Sequence, residues 1–207
     1  TDWKEQIGPD EPAQFAEFSV QIQEVIKKLA RGGDVHRGFH AKPHGAMSAR
    51  FEVLPGLPEH ARFGLFKESK SYPCWVRISN GVGTIQGDAR PDVRGLAVKV
   101  VGVAGKKLLE GEENAVTQDF LATNSTVSLA RNATQFMAFA QANTNQLTLP
   151  FTMARVLGAR ESARIVAFLA TSLVRPIRST ARESYWSCAP IKMGPHAVRF
   201  VWKPVDA

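Results

Sequence analysis

Cysteine is scarce in this sequence. Its 207 residues include two cysteines, Cys74 and Cys188. Neither belongs to a Cys-x-x-Cys pair or to a cysteine–histidine spacing typical of a zinc site. We therefore expect both thiols to be buried and reduced, and we predict no metal ligand among them.

Long apolar runs are also missing. No segment approaches the roughly 20 consecutive apolar residues that a membrane helix needs, and the polar segment from Thr1 to Gln6 lacks the apolar core of a signal peptide. The composition, 44% hydrophobic and 22% charged, is that of a globular protein with a substantial core. We expect a soluble protein of the cytoplasm or the periplasm, without a membrane span.

Acidic residues are outnumbered, 19 against 26 basic ones, for a net charge of +7. Much of the excess lies in one segment, in which one glutamate, Glu161, stands among arginines: Arg155, Arg160, Arg164, Arg175, Arg178 and Arg182. Nucleic-acid readers carry such clusters together with a recognisable motif, and none is found here. The cluster therefore favours a solvated or partner-docking face and no nucleic-acid binding.

Helical periodicity appears in three places. Near the N-terminus it predicts a helix over 12–31, started by Pro12 and stopped by Gly32–Gly33, so that residues 1–36 form an arm and a helix. A second helix is predicted over 128–142, capped by Ser128, and a third over 153–173.

Alternating and β-branched segments predict strands, and they occur without intervening helices: 37–53, 74–79, 95–103 and 118–122. Residues 80–91, rich in Gly, Asn and Asp, are predicted as a long loop, and 184–205 as a hairpin that turns near Gly194. Strands in direct succession favour an antiparallel sheet or barrel wall. Residues 37–207 are therefore predicted to form one domain.

The first predicted strand carries a histidine in a short apolar run. Alternation would place Arg37 and Phe39 on one face and Gly38 and His40 on the other. Glycines at 38 and 45 would let a flat group approach the backbone. The alternative is a buried structural histidine satisfied by a backbone carbonyl, which is the commoner role of a lone histidine.

Charged and polar groups recur on neighbouring predicted strands: Arg37 and His40 on the first, Arg77 and Ser79 on the second, and Asp92 and Arg94 before the third. Arginines beside a histidine on adjacent strands would suit a ligand that bears carboxylates. Two alternatives stay open. Arg77 would be a surface or salt-bridged residue at a strand end, and Asp92 with Arg94 an ion pair that pins the loop.

In order and approximate spacing, these segments resemble the haem catalases and their smaller catalase-related relatives. Arg37–Ala46 is similar to the family's distal-histidine strand, in which an arginine precedes the histidine by three positions. Val76–Asn80 is similar to its Val-Arg-Phe-Ser segment, and Asp92–Val100 to its Asp-Pro-Arg-Gly-Phe-Ala-Val-Lys segment. Tyr185–Pro204 resembles the hairpin that ends in Lys-Phe-His-Trp-Lys. The likeness covers about residues 37–205 and is weakest in the helical middle.

The resemblance implies an α+β fold, the distal half of a catalase-like antiparallel β-barrel with helices packed outside. It also implies haem b as the cofactor and a peroxide-cleaving oxidoreductase of the catalase or peroxidase type. One alternative is a haem enzyme that converts an organic (fatty-acid) hydroperoxide. Another is a non-enzymatic haem-binding or partner-binding subunit.

Residue roles follow from the same resemblance. His40 would be the distal acid/base, Ser79 would orient its imidazole, and Asn114 is nearest by order to the family's distal asparagine. The residues that would contact haem are Arg37 and Arg77, at the propionates, and Gly38, Phe39 and Gly95, at the porphyrin.

Tyrosine is as scarce as cysteine, which matters for this resemblance. Catalases ligate iron through a tyrosinate near the C-terminal end of the barrel, and this sequence holds only Tyr72 and Tyr185, neither at that position. We therefore expect the proximal tyrosine outside this chain. A second chain, or a missing C-terminal half, would complete the barrel.

Overall fold

Six strands form one antiparallel sheet that curls into half of a barrel wall. The computed structural model describes residue 4 and residues 6–30, 37–107, 109–145, 148–174 and 176–205. In spatial order the sheet contains β1 (Pro43–Val53), β2 (Lys70–Asn80), β3 (Arg94–Val101), β4 (Thr117–Thr123), β5 (Tyr185–Trp186) and β8 (Val201–Trp202). A separate hairpin pairs β6 (Ile191–Met193) with β7 (His196–Val198). The predicted antiparallel α+β class is confirmed.

One face of the sheet, the core face, is apolar and buried. The register aligns Val76, Val98 and Phe120 across β2, β3 and β4, so these side chains lie on the same side. Phe120 is 6% exposed, and its ring centroid lies 5.8 Å from that of Phe51 and 5.4 Å from that of Phe200. Aromatic packing therefore closes this side of the half-barrel.

The other side, the open face, is covered far less. Its central row consists of Arg77, Ala97 and Leu121, which are paired across β2, β3 and β4. Leu121 is 67% exposed, and Trp75, one step along β2, is 58% exposed. Large apolar side chains on one exposed sheet face are typical of a surface that contacts another molecule.

Truncating the core face should destabilise the protein far more than truncating the open face. We expect Phe120→Ala to lower the free energy of unfolding by about 3–5 kcal/mol, because it removes a ring packed on several others. Its neighbour offers the matched control, since Leu121→Ala should change that value by less than about 1 kcal/mol. Urea unfolding measures both, and comparable losses would contradict the two-faced sheet.

Most strand predictions are confirmed to within a few residues, but the first is wrong at its start. Strand β1 begins at Pro43, and residues 37–42 are irregular. His40 has φ 55°, a left-handed conformation that no strand accommodates. The predicted faces of Arg37 to His40 are therefore wrong as well.

The described residues also form four α-helices, α1 (Glu11–Leu29), α2 (Ala133–Ala142), α3 (Leu149–Leu157) and α4 (Ala159–Val174). The first agrees with the prediction, although the predicted end, at Arg31 to Gly33, lies outside the described residues. Helix α1 packs on α2, and α2, α3 and α4 enclose a second core around Phe139, Met153 and Ile165. None of the described helices is long and apolar enough to cross a membrane.

Two helix predictions are wrong in detail. Asn132, not Ser128, caps α2, because its Oδ1 accepts the Gln135 N–H at 2.9 Å. The predicted helix over 153–173 is two helices, divided at Gly158, whose φ of 80° ends α3.

The cysteine prediction is half right. Cys74 is buried in the core of the sheet and is a free thiol, as expected. Cys188 is also free but exposed, because the chain leaves β5 there for a surface turn, and its Sγ lies 3.5 Å from Thr123 Oγ1.

Candidate functional site

His40 is held by backbone contacts in an unusual conformation. It is the single non-glycine residue with positive φ among the described residues, and such a backbone costs about 1–2 kcal/mol. Two hydrogen bonds hold it, from the His40 N–H to the Gly81 carbonyl at 3.0 Å and from the Ala41 N–H to the Val82 carbonyl at 3.3 Å. The loop after β2 therefore sets the direction of the His40 side chain.

The imidazole of His40 lies over the open face, against two small residues. Its Nδ1 shares a hydrogen bond of 3.0 Å with Oγ of Ser79, which is 2% exposed. Ser79 pairs with Gly95 across β2 and β3. A Cβ on Gly95 would come within 2.5 Å of His40 Cε1 and Nδ1, so only glycine leaves room for the ring.

The far nitrogen of that ring, Nε2, is distinct from the one that Ser79 contacts. His40 is half-buried, and its Nε2 has no side-chain hydrogen-bond partner within the described part of the chain. In the tautomer protonated at Nδ1, the ring donates to Ser79 and keeps a lone pair on Nε2. This arrangement suits a group that accepts and returns a proton.

Two guanidinium groups accompany the imidazole. Arg77, on the open face, donates through Nη2 to the His40 carbonyl at 2.7 Å. Burial, and then the positive charge of the exposed Arg37, lowers the pKa of the Arg77 guanidinium. Like charges this close favour an anionic partner, and guanidinium groups suit carboxylates geometrically.

The surroundings of His40 favour its neutral form. Burial lowers the pKa of the imidazole below its ordinary value, and the charges of Arg77 and Arg37 act in the same direction. The carboxylate of Asp92 and the Asn80 backbone oppose this shift without reversing it. An imidazole that is neutral near pH 7 is ready to act as a base.

The lowered pKa makes a prediction about stability. A histidine with a depressed folded-state pKa stabilises the fold above its unfolded pKa, and this contribution is lost as pH falls through the folded-state pKa. Between about pH 7.5 and pH 4.5, we expect wild-type protein to lose more free energy of unfolding than His40→Gln. Urea unfolding at both pH values measures the difference, and parallel pH profiles would contradict a depressed pKa.

Gly38 and Phe39 contact helices in this structure. The Phe39 ring lies 5.4 Å from that of Phe136 and 6.5 Å from that of Phe139, both on α2. A Cβ on Gly38 would come within 2.9 Å of Ile26 on α1. These residues anchor the His40 segment to the helical layer, and their predicted porphyrin contacts stay a prediction.

Asn114 does not join the site. It is exposed, in the loop from β3 to β4 that leaves Val101. The His40 ring lies over Gly95, at the opposite end of β3, and at about 3.3 Å per residue those ends are roughly 20 Å apart. The amide at the near end is Asn124, whose Oδ1 accepts the Arg94 N–H at 2.8 Å.

Asp92 and Arg94 organise the loop after β2. The Asp92 carboxylate accepts the N–H groups of Gly81 and Val82, while the Arg94 guanidinium donates to the carbonyls of Asp88, Arg90 and Asp92. Both side chains are buried, and the closest approach of their charged atoms is 4.0 Å. For Asp92 and Arg94, the structure therefore favours the interpretation that the two side chains stabilise the loop. Direct contact with a ligand is the less favoured interpretation.

Neither tyrosine fits the role of an iron ligand. Tyr185 is 3% exposed and donates its hydroxyl to the Thr180 carbonyl at 2.7 Å. Burial raises its pKa to about 12, with a further contribution from Glu183. Tyr72 lies on the core face under the Lys70 ammonium group.

The donor set therefore lies on one side of the candidate site. It consists of an imidazole whose Nε2 has no side-chain partner among the described residues, a glycine beneath the ring and two guanidinium groups. These are the types of group expected at the distal face and the propionates of haem, and their binding of haem stays a prediction. The axial ligand is lacking from this set, and no group of three or more His, Cys, Asp or Glu in the described ranges could hold a metal ion.

Sequence reasoning overlooked several residues that shape the site. A Cβ at Gly83 would collide with the Gly38 carbonyl oxygen at 2.1 Å, and a Cβ at Gly81 would lie a tight 3.0 Å from the Val93 carbonyl oxygen. His44, to which no role was given, contacts the buried amide of Asn80 through Nε2. The run of glycines in 81–87 signalled tight packing, but it carried no information about which segments meet.

Two sequence comparisons give no match for this chain. No family model matches the chain, and no curated protein sequence matches it either. The catalase resemblance therefore stays a hypothesis based on the motifs.

Proposed function

We propose that this chain forms the distal wall of a haem site that cleaves peroxide. The observation that carries the proposal is the His40 imidazole, held by Ser79 over Gly95, whose Nε2 has no side-chain partner among the described residues. The Ser79 hydroxyl engages Nδ1 and so leaves one ring nitrogen without a side-chain partner in the described part of the chain. The imidazole is half-buried, neutral near pH 7 and oriented by a buried hydroxyl.

His40 would move one proton between the two peroxide oxygens. Its Nε2 takes the proton from the first oxygen and returns it to the second, which departs as water. Haem would supply the two electrons for O–O cleavage, and a second peroxide or an organic donor would restore them. Ser79 keeps the ring in one orientation throughout, so that the same nitrogen both accepts and donates.

Arg77 and Arg37 would hold the carboxylates of the cofactor. Their charges are close enough to interact, and a dianionic ligand edge would relieve that repulsion. On the open face, Ala97 lies between Arg77 and Leu121, and its small side chain would let the flat ligand approach the sheet. The exposed Trp75 and Leu121 would be covered by the bound group or by a partner.

A tyrosinate ligand would come from outside these 207 residues, because neither of their two tyrosines, Tyr72 and Tyr185, is placed to provide it. A polypeptide that supplies a tyrosinate and covers the open face would complete the site. The same observation favours a second candidate, a partner-binding subunit that carries the scaffold without haem.

Haem uptake separates these functions. The absorption spectrum is recorded for the purified protein, and then with added haem b and with imidazole as an external axial ligand. We expect a Soret band that saturates with haem and weaker binding in Arg77→Ala. The matched control is Arg62→Ala, an exposed arginine of the loop after β1, which should bind as wild type. If the spectra with added haem match those of haem, or of haem and imidazole, recorded without protein, the partner-binding subunit would remain.

A further inference from the structure

The left-handed backbone of His40 depends on the turn at Gly81 and Val82, and that turn is itself stabilised by another residue. His40 and Ala41 donate their N–H groups to the carbonyls of Gly81 and Val82. The N–H groups of the same two turn residues point the other way, and both bond to a single atom, Oδ2 of Asp92, at 3.0 and 3.1 Å. The Asp92 carboxylate thus binds the N–H groups of the turn, while the carbonyl groups of the turn bind the backbone of His40 and Ala41.

Asp92 is suited to this task by burial and by its neighbours. It is 6% exposed, and its Oδ2 also accepts Gln86 Nε2 at 3.3 Å. The buried guanidinium of Arg94 approaches the same oxygen at 4.0 Å. A carboxylate oxygen that accepts several N–H groups makes stronger bonds than a neutral acceptor would.

We propose that Asp92 is the positioning residue of the site, fixing the His40 backbone, and with it the direction of the imidazole, through the turn at Gly81 and Val82. The inference rests on the proposed function of His40 but concerns a different residue, which touches neither substrate nor cofactor. Close packing supports it, because a Cβ at Gly81 would lie 3.0 Å from the Val93 carbonyl and 3.2 Å from Asp92 Oδ1.

Amide hydrogen exchange tests the positioning directly, on protein without haem. Exchange at the His40 and Ala41 N–H groups is measured in wild type, Asp92→Ala, Asp92→Asn and Asp88→Asn, and normalised to the core residue Val100. We expect an increase of at least about tenfold in Asp92→Ala and of about two- to fivefold in Asp92→Asn, whose amide oxygen accepts more weakly. Asp88→Asn, an exposed carboxylate on the same loop, should leave both amides unchanged.

A ring titration adds an electrostatic readout beside the exchange measurement. The charged groups that act on His40 are Asp92, Arg77 and Arg37. Without the Asp92 charge, the NMR titration midpoint of the His40 imidazole should move to lower pH in Asp92→Asn. It should stay in place in Asp88→Asn.

The outcomes are decisive even if Asp92→Ala does not fold. Asp92→Asn is nearly isosteric, and the proposal is overturned if its His40 and Ala41 amides exchange as in Asp88→Asn. Peroxide turnover by His40→Ala is measured separately. If His40→Ala loses turnover and exchange in Asp92→Asn is unaffected, the proposed function is retained and the positioning role is rejected. If His40→Ala keeps turnover and exchange in Asp92→Asn increases, the positioning role is retained and the proposed function is rejected.

Discussion

Replacing His40 with alanine is expected to lower peroxide turnover by about 10²- to 10⁴-fold, the usual contribution of a positioned general acid/base. No other described side chain is placed to take over the proton transfer, since Ser79 already hydrogen-bonds Nδ1 of the ring and the Arg77 side chain donates to the His40 carbonyl. An arginine side chain has no acceptor atom with which to take up a proton. Turnover is measured as loss of hydrogen peroxide by the haem-loaded protein, at equal haem content.

The control for this variant is His60→Ala, which removes an exposed histidine from a short turn after β1. It should turn over peroxide as wild type does, and both variants should bind haem normally. A wild-type rate in His40→Ala would end the assignment of His40 as the base. A matching loss in His60→Ala would point to a general effect of histidine removal.

Adding one methyl group at Gly95 should have the second-largest effect. A Cβ there would lie 2.5 Å from two atoms of the His40 ring and 3.0 Å from Ser79 Oγ, so the imidazole must move. Displacing a reacting group by about 1 Å can lower the rate by about 100-fold. Overpacking should also lower the free energy of unfolding by about 1–3 kcal/mol. Peroxide turnover and urea unfolding measure the two effects.

Two further variants make this prediction specific. Gly45→Ala, within β1, meets no atom within 4 Å and should preserve both turnover and stability. In the double variant Gly95→Ala/His40→Ala the colliding ring is absent, so most of the stability loss caused by Gly95→Ala should disappear. Additive losses would show that Gly95 acts on the sheet and not on the imidazole.

Much of the fold follows from local patterns in the sequence. Alternation predicts β2, β3 and β4, because a half-buried strand must place every second side chain on the core face. Helical spacing predicts α1 and α2 for the same reason of burial. The exceptions are local: Gly158 divides a predicted helix, and Asn132 replaces Ser128 as a cap.

The candidate site was predicted only in part. His40, Ser79, Arg77 and Gly95 come together as the motifs suggest, but Gly95 meets the imidazole itself. Asn114 was matched by order alone, without regard to strand direction, which places the loop after β3 at the Val101 end and away from Gly95. Reading 37–42 as a strand failed because alternation cannot reveal a residue held at positive φ by a distant loop.

The sequence by itself determined the antiparallel α+β class, the positions of the main strands and the grouping of a histidine with arginines, since these depend on spacing and residue type. Only the tertiary structure decided that the buried Asp92 carboxylate hydrogen-bonds the turn at Gly81 and Val82, and that this turn hydrogen-bonds the His40 backbone. It also decided that one sheet face is packed with aromatic rings while the other stays open. Both depend on contacts between segments far apart in the chain, which local periodicity does not encode.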